Sequence, residues 1–303
     1  MEPIFSENYR SSRLVYPSDD FDYKLIDSGD SKKLELLGSH YLVRPAPQAI
    51  WPRKLPRDEW QKSEAEYVYF KGKQTGGEWR FFSPFPEEGW TIKFQDLILK
   101  VNPTGFGHIG LFAEQAPNWL WIREQVTKIK NPNILNLFGY TGASTLFAAA
   151  GGAKVTHIDA SKPSISWARH NQELSGLSNC PIRWIIDDTI KFLKRETRRG
   201  NRYHGIIMDP PTFGRGAKNE IWKIEQNLPE LLELCRQILS PDPLFLLMTT
   251  HSPGFSSLTL ENLLLSYLVP PGHGKIESGE MFIFENVFKT SLPSGFFSRW
   301  TKN

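Results

Sequence analysis

The sequence is short of the features that would place it outside ordinary globular folds. Among 303 residues there are two cysteines, Cys180 and Cys235, too few for a disulfide framework or a thiolate zinc site. No run approaches the ~18 consecutive apolar residues that a membrane helix requires; stretches such as 244–248 have the length of a core strand. The opening Met1-Glu2-Pro3-Ile4 has neither a basic nor an apolar segment, so no signal peptide is expected and the expected compartment is the cytoplasm. Internal repeats and low-complexity segments are missing. Excess charge is scarce too: 36 Lys and Arg against 33 Asp and Glu leave +3, too little to argue for a nucleic-acid partner by itself. What remains is a normal globular mixture, 40% hydrophobic and 23% charged, which excludes wholesale disorder.

Two periodicities divide the chain, and the division is drawn as 1–112 and 113–303. The first part reads as a small, curved β-rich domain with an N-terminal tail. Aromatic and β-branched runs at 67–70, 79–82 and 97–101 are separated by turn signals at Gly76-Gly77, Pro84 to Gly89 and Asn102-Pro103. Pro45, Pro47, Pro52 and Pro56 predict an irregular connection before them. In the second part Trp119, Leu120, Ile122, Val126 and Ile129 recur at helical spacing. Strands are then predicted at 134–138, 154–158, 182–186, 203–208 and 244–249, with helices at 144–150, 163–174, 189–198, 220–239 and 258–268, and a terminal strand at 281–289. Such alternation means βαβ units, hence an α/β fold with a parallel sheet covered on both faces.

Ligands of such sheets sit beyond the carboxyl ends of the strands. After the first strand comes Phe138-Gly139-Tyr140-Thr141-Gly142-Ala143-Ser144, whose glycines suit either a ligand loop at a helix N-terminus or an ordinary tight turn. It is not a Gly-x-Gly-x-x-Gly sequence, which disfavours a dinucleotide pyrophosphate. Asp159 ends the second strand, where a carboxylate can accept from ribose hydroxyls or cap the next helix, a role open to Ser161 as well. Of Asp187 and Asp188, one can accept from an adenine amine while the other caps the helix at Thr189; Asp188 is favoured for the ligand. Asp209-Pro210-Pro211-Thr212-Phe213 follows the fourth strand. Two prolines fix φ and remove two N–H donors, presenting carbonyls and the Asp209 carboxylate as a rigid acceptor cluster, with Phe213 available to stack on a planar substrate. The plainer alternative is a rigid loop whose Phe is core.

Taken together, Asn136 to Gly142, Asp159, Asp187-Asp188 and Asp209 to Phe213 resemble class I S-adenosylmethionine (SAM) methyltransferases. More narrowly, they are similar to the bacterial family that includes the 23S rRNA cytosine-C5 and guanine-N7 methyltransferases. The resemblance covers residues 105–250. It includes Gly110-Leu111-Phe112-Ala113-Glu114-Gln115, similar to an element that closes over the SAM site; Glu114 and Ala116 depart from its pattern, while Gly110 and Gln115 carry over. The resemblance implies a Rossmann-like seven-stranded sheet and SAM as cofactor, bound by Phe138, Gly139, Tyr140, Thr141 and Gly142. It further implies Asp159 on the ribose, the Asp187/Asp188 pair near the adenine and Gln115 over the site. Asp209, Pro210, Pro211 and Phe213 are expected to face the methyl acceptor, an RNA base being the leading reading, with a small molecule or protein acceptor, or an RNA-binding protein without catalysis, as alternatives.

Cytosine-C5 methylation requires a thiolate to attack C6, and family members that perform it resemble one another in a Cys just after the fifth strand. Here that segment is Met248-Thr249-Thr250-His251-Ser252-Pro253, without one. Direct transfer to nitrogen or oxygen is therefore expected, with His251 either an acid/base group or a structural histidine. The basic run Lys191, Lys194, Arg195, Arg198, Arg199, Arg202 maps to the sheet edge away from the cofactor and reads as a solvated helix face. Arg215, Lys218 and Lys223 lie at the active edge. Arg44, Arg53, Lys54, Lys71 and Lys73 beside Tyr67, Tyr69, Trp79 and Phe82 are compatible with an RNA platform or with internal packing. Replacing Cys180 and Cys235 together is expected to spare methyl transfer, measured with tritiated SAM; a folded but inactive double variant would restore covalent chemistry.

Overall fold

In a computed structural model of the protein, residues 20–72, 76–215, 221–269, 272–285, 288 and 290–302 are described; the expected N-terminal tail, Lys73 and Lys218 lie outside them. The β-rich region is a five-stranded sheet in the order β1 (Tyr23–Gly29), β2 (Lys32–Leu37), β3 (His40–Pro45), β4 (Ala65–Tyr69), β5 (Gly77–Phe81). Its pairs are antiparallel except β3 with β4, which are joined by the proline-rich stretch and the single turn α1 (Arg57–Trp60). That stretch is anchored by buried Asp27, which accepts from the backbone N–H groups of Lys54 and Leu55 and from the Trp60 indole. A separate hairpin, β6 (Trp90–Phe94) and β7 (Leu97–Val101), follows.

Beyond it the chain alternates: α2 (Ala116–Val126), β8 (Asn133–Leu137), α3 (Ala143–Ala150), β9 (Lys154–Asp159), α4 (Lys162–Leu174), β10 (Ile182–Ile186), α5 (Thr189–Arg199) and β11 (Gly205–Met208). A small hairpin, β12 (Phe213–Arg215) and β13 (Ile221–Lys223), then precedes α6 (Ile224–Ile238), β14 (Phe245–Thr250), α7 (Ser257–Tyr267), β15 (Lys275–Phe284) and β16 (Ser291–Thr301). The large sheet has the order β10-β9-β8-β11-β14-β16-β15. Its first five strands are parallel, and β16 is inserted antiparallel between β14 and β15. Strand order reverses between β8 and β11, the crevice where such sheets bind ligands. The seven strands match the expected sheet. The terminal strand predicted at 281–289 is instead a pair, and the helix predicted from residue 220 starts after β13. Among the described residues no helix is long and apolar enough to cross a membrane.

One apolar core joins the β-rich region to the large sheet. Phe94 packs on Phe147 with ring centroids 5.3 Å apart, and Phe147 stacks on Trp119 at 5.7 Å. The β7 backbone also donates to α4, Lys100 N–H to Asn171 Oδ1 at 2.8 Å and Ile98 N–H to Ser175 Oγ at 3.0 Å. Within the five-stranded sheet the cations Lys33 and Arg44 stand directly opposite each other on β2 and β3, a repulsive pairing unless a carboxylate intervenes. Glu35 intervenes: it accepts from Arg44 Nε and Nη2 at 2.7 and 2.8 Å and from Tyr23 Oη at 2.7 Å, and pairs with Lys33 Nζ at 2.9 Å. Burial opposes its charge, but the two cations overcome it and hold the carboxyl down at about 2.

Glu35→Gln is therefore expected to cost about 3 kcal/mol at pH 7, since it leaves buried cations uncompensated. Because the folded value is depressed, the parent keeps this stabilisation above the ordinary 4.5 and loses it as the pH falls toward about 2. Urea titrations across that range should show this loss in the parent and not in the variant.

Candidate functional site

The loop after β8 is built by steric necessity. Phe138, Tyr140 and Gly142 have φ of +57°, +50° and +90°, and a Cβ on Gly139 would lie 2.3 Å from Cε1 of His157. His157 is fully buried on β9, with Nδ1 2.8 Å from Thr145 Oγ1; burial depresses it to about 3, so it is a neutral spacer beneath the loop. Above it, Tyr140 N–H donates to Asp159 Oδ2 at 2.9 Å and Ser161 N–H to Oδ1 at 2.8 Å. Each Asp159 oxygen keeps acceptor capacity for a ligand, and burial pushes its carboxyl up. The loop is tied at its other end by Thr141, whose hydroxyl donates to the Gly110 carbonyl at 2.7 Å and whose carbonyl accepts from Asn171 Nδ2 at 2.9 Å. Helix α3 starts at Gly142 without a side-chain cap.

Two connected hollows lie along this rim. The larger, about 550 Å³, has Phe138, Tyr140, Asp159, Asp188, Asp209, Pro210 and Pro211 in its walls. The smaller, about 60 Å³, lies against Gly139, Thr141, Gly142 and Gln115, and shares Phe138, Tyr140 and Asp209 with the larger one. The loop after β8 and the Asp-Pro-Pro turn, about 70 residues apart, thus face one space. Its volume lies within the range of small-ligand sites.

Several expectations need correction. Asp188 is the cap of α5, its Oδ1 accepting from Lys191 N–H at 2.8 Å, and it faces the cavity as well; Asp187 is turned away to Arg195 and lines neither hollow. Phe213 is not core and lines neither hollow: it sits on β12, 53% exposed. The cavity's aromatic walls are Phe112, Tyr140, Phe138 and Trp222, the last two with centroids 4.9 Å apart. The carbonyls of the proline turn are not all free, because the Trp222 indole donates to the Pro211 carbonyl at 2.6 Å. Of the cations and aromatics considered as a platform, Arg44 and Tyr67 are buried and Lys54 is paired with Glu285 at 2.6 Å. In the basic run, Lys194, Arg195 and Arg199 are engaged by Glu230, Asp187 and Glu196, as a solvated helix face would be. Cys235 is buried on α6 with its thiol pushed up by burial, and Cys180 is also absent from both hollows.

Asp209 carries the site's main electrostatic feature. Its Oδ2 accepts from Gln115 Nε2 at 3.0 Å, and Gln115 also donates to Thr249 Oγ1 at 3.0 Å while its own oxygen accepts from Asn118 at 2.9 Å. His251 Nδ1 is 3.7 Å from Asp209 Oδ1, and its Nε2 is 3.0 Å from buried Glu114 Oε1. Partial burial lowers the imidazole, but the two carboxylates outweigh it and hold it at about 10. Glu114 is held down by the same histidine against the effect of burial. The Glu114–His251 pair went unrecognised in the sequence, where Glu114 is a departure from the family pattern; 137 residues separate the partners. No group of three or more His, Cys, Asp or Glu is placed to hold a metal ion among the described residues.

The S-adenosylmethionine-dependent methyltransferase profile matches residues 59–249. The crystal structure of the SAM dependent methyltransferase from Agrobacterium tumefaciens superposes with a TM-score of 0.89 at 40% identity, covering 95% of this chain and 92% of that one. SMU.776, crystallised as a complex with SAH, shares the fold at a TM-score of 0.72 and 19% identity, over 94% of this chain and 76% of its own. The ribosomal RNA large subunit methyltransferase K/L of Shewanella frigidimarina is 37% identical over 145 residues, 47% of this chain and 20% of that protein. The chain thus matches only about a fifth of the length of that curated relative.

His251 should remain protonated until the pH rises through about 10, so the stabilisation from its ion pairs is full below the ordinary 6.5 and is lost as the pH rises from there through about 10. In Glu114→Gln its titration, followed by the imidazole proton resonance, is expected to move down toward the ordinary 6.5.

Proposed function

The chain belongs to the S-adenosylmethionine-dependent methyltransferase family, and from that premise we propose that it methylates a base of RNA, most naturally rRNA in the cytoplasm, by direct transfer to nitrogen. The observation that carries this reading is the shared cavity in which the 138–142 loop and the Asp209-Pro210-Pro211 turn face each other. The residues present suit the cofactor: a carboxylate at the end of β9 for a ribose diol, Asp188 near the position of an amino-purine, and an uncapped helix N-terminus for a carboxylate. SAM supplies, when bound, an electrophilic methyl group on a sulfonium centre.

The chain's own contribution is positioning and charge. Asp209, stiffened by two prolines and oriented by Gln115, offers an acceptor to the N–H edge of a base and favours positive charge developing there. His251 is protonated and His157 is sealed beneath the loop, so neither serves as a neutral-pH base. An acceptor that attacks with its own lone pair, a ring nitrogen or an amine, fits this environment. A thiolate mechanism does not, because neither cysteine reaches the cavity. The β-rich region, which we take as residues 1–112, adds exposed rings at Phe70, Phe81 and Phe82 that support stacking with unpaired bases. The rRNA methyltransferase name of the relatives supports the substrate class.

Asp159→Ala is expected to weaken SAM binding by about tenfold or more in calorimetry, through loss of charged hydrogen bonds. Asp209→Ala should lower transfer by about 100-fold while SAM affinity is retained. Unmodified rRNA should bind with an affinity that falls steeply as salt is raised; binding insensitive to salt would favour a small-molecule acceptor instead.

A further inference from the structure

Beyond His251 from the cofactor cavity lies another hollow of about 420 Å³. Four segments distant in sequence wall it: the β-rich region, Glu114 in the turn at 113–115, the loop after β14, and the β15–β16 pair. His251 and Ser252 line both cavities, so this space begins where the methyl-acceptor site ends. Its charges are almost all used. Lys33 is paired with Glu35 at 2.9 Å, His251 with Glu114 at 3.0 Å, and the Gln48 amide donates to the Pro293 carbonyl at 2.6 Å. Glu280 is exposed and has no ion-pair partner among the described residues. Two half-buried rings, Phe255 and Phe296, complete the walls.

This combination selects a ligand class. With its cations already neutralised and a carboxylate facing in, the space repels a phosphate. It offers instead ring faces and a hydrogen-bond acceptor, which suit a neutral planar heterocycle bearing an amine. We propose that this second cavity receives the nucleobase next to the methylated one, an adenine or cytosine stacked against Phe255 or Phe296 with its amine donating to Glu280. The two cavities then hold successive bases on either side of His251. This rests on the RNA reading above and gives it a sequence preference.

Fluorescence anisotropy with labelled ten-nucleotide oligomers of A, C and U, in the presence of S-adenosylhomocysteine, tests it. The parent chain should bind A and C oligomers more tightly than the U oligomer, which has no exocyclic amine. Glu280→Ala, an exposed change, should remove that preference, and Phe255→Ala should weaken every oligomer by about tenfold. Both variants should bind SAM as the parent does in calorimetry, because neither residue lines the cofactor cavity. Parent-like preference in Glu280→Ala, or binding by the parent without preference, overturns the second cavity's role and leaves the RNA reading intact. A parent that binds no oligomer overturns both.

Discussion

The Asp209 carboxylate is the point on which the site converges. Three segments meet there: the end of β11 that carries it, the turn at 113–115 that supplies Gln115 and Glu114, and the end of β14 that supplies Thr249 and His251. None of these side chains holds its orientation alone. Gln115 is fixed by Asn118 and Thr249, and His251 by Glu114, so Asp209 faces the cavity from a frame of hydrogen bonds and charge. A carboxylate held in that frame presents a fixed acceptor to the cavity.

The same economy of charge operates in the β-rich region. Arg44 reaches from the Glu35 cluster to the Gly107 carbonyl at 3.3 Å, at the start of the segment that leads through Gly110 to Gln115. The Gly110 carbonyl in turn accepts from the Thr141 hydroxyl of the 138–142 loop. The segment between the two regions is therefore held from below by a buried guanidinium and from above by the loop that it borders. Neither region can shift much without disturbing the other, and the shared core of Phe94, Phe147 and Trp119 enforces the same coupling.

What was legible in the sequence follows from burial pattern. Strands β11 and β14 are nearly continuous apolar runs because the sheet is covered on both faces there; β8, β9 and β10 are shorter on apolar residues but are bounded by turn signals, and all five lie within two residues of their expected positions. The first three strands were not recognised, since Asp27, Glu35 and Arg44 point inward and break the alternation that marks a half-buried strand. In β15 and β16 the pattern is obscured by Ser278-Gly279 and by Pro293, Ser294 and Gly295, where a register shift falls at Met281/Phe282. The 138–142 loop and the Asp-Pro-Pro turn are legible because glycine and proline carry conformational information locally. Glu114, His251 and the Trp222 indole were missed as partners because their contacts are long-range and their residue types are common in ordinary surfaces.

The placement of β16 has a consequence for how the molecule is made. A strand inserted between β14 and β15 means that β15 emerges from the ribosome before the neighbour that attaches it to the sheet. Until β16 pairs, β14 presents an open flank, and Glu285, which lies between β15 and β16, accepts from Ser28 N–H and Lys54 Nζ of the β-rich region. The residues lining the larger cavity are all in place by Ser252, whereas the Glu285 contacts that add to the seam between the two sheets come later in the chain.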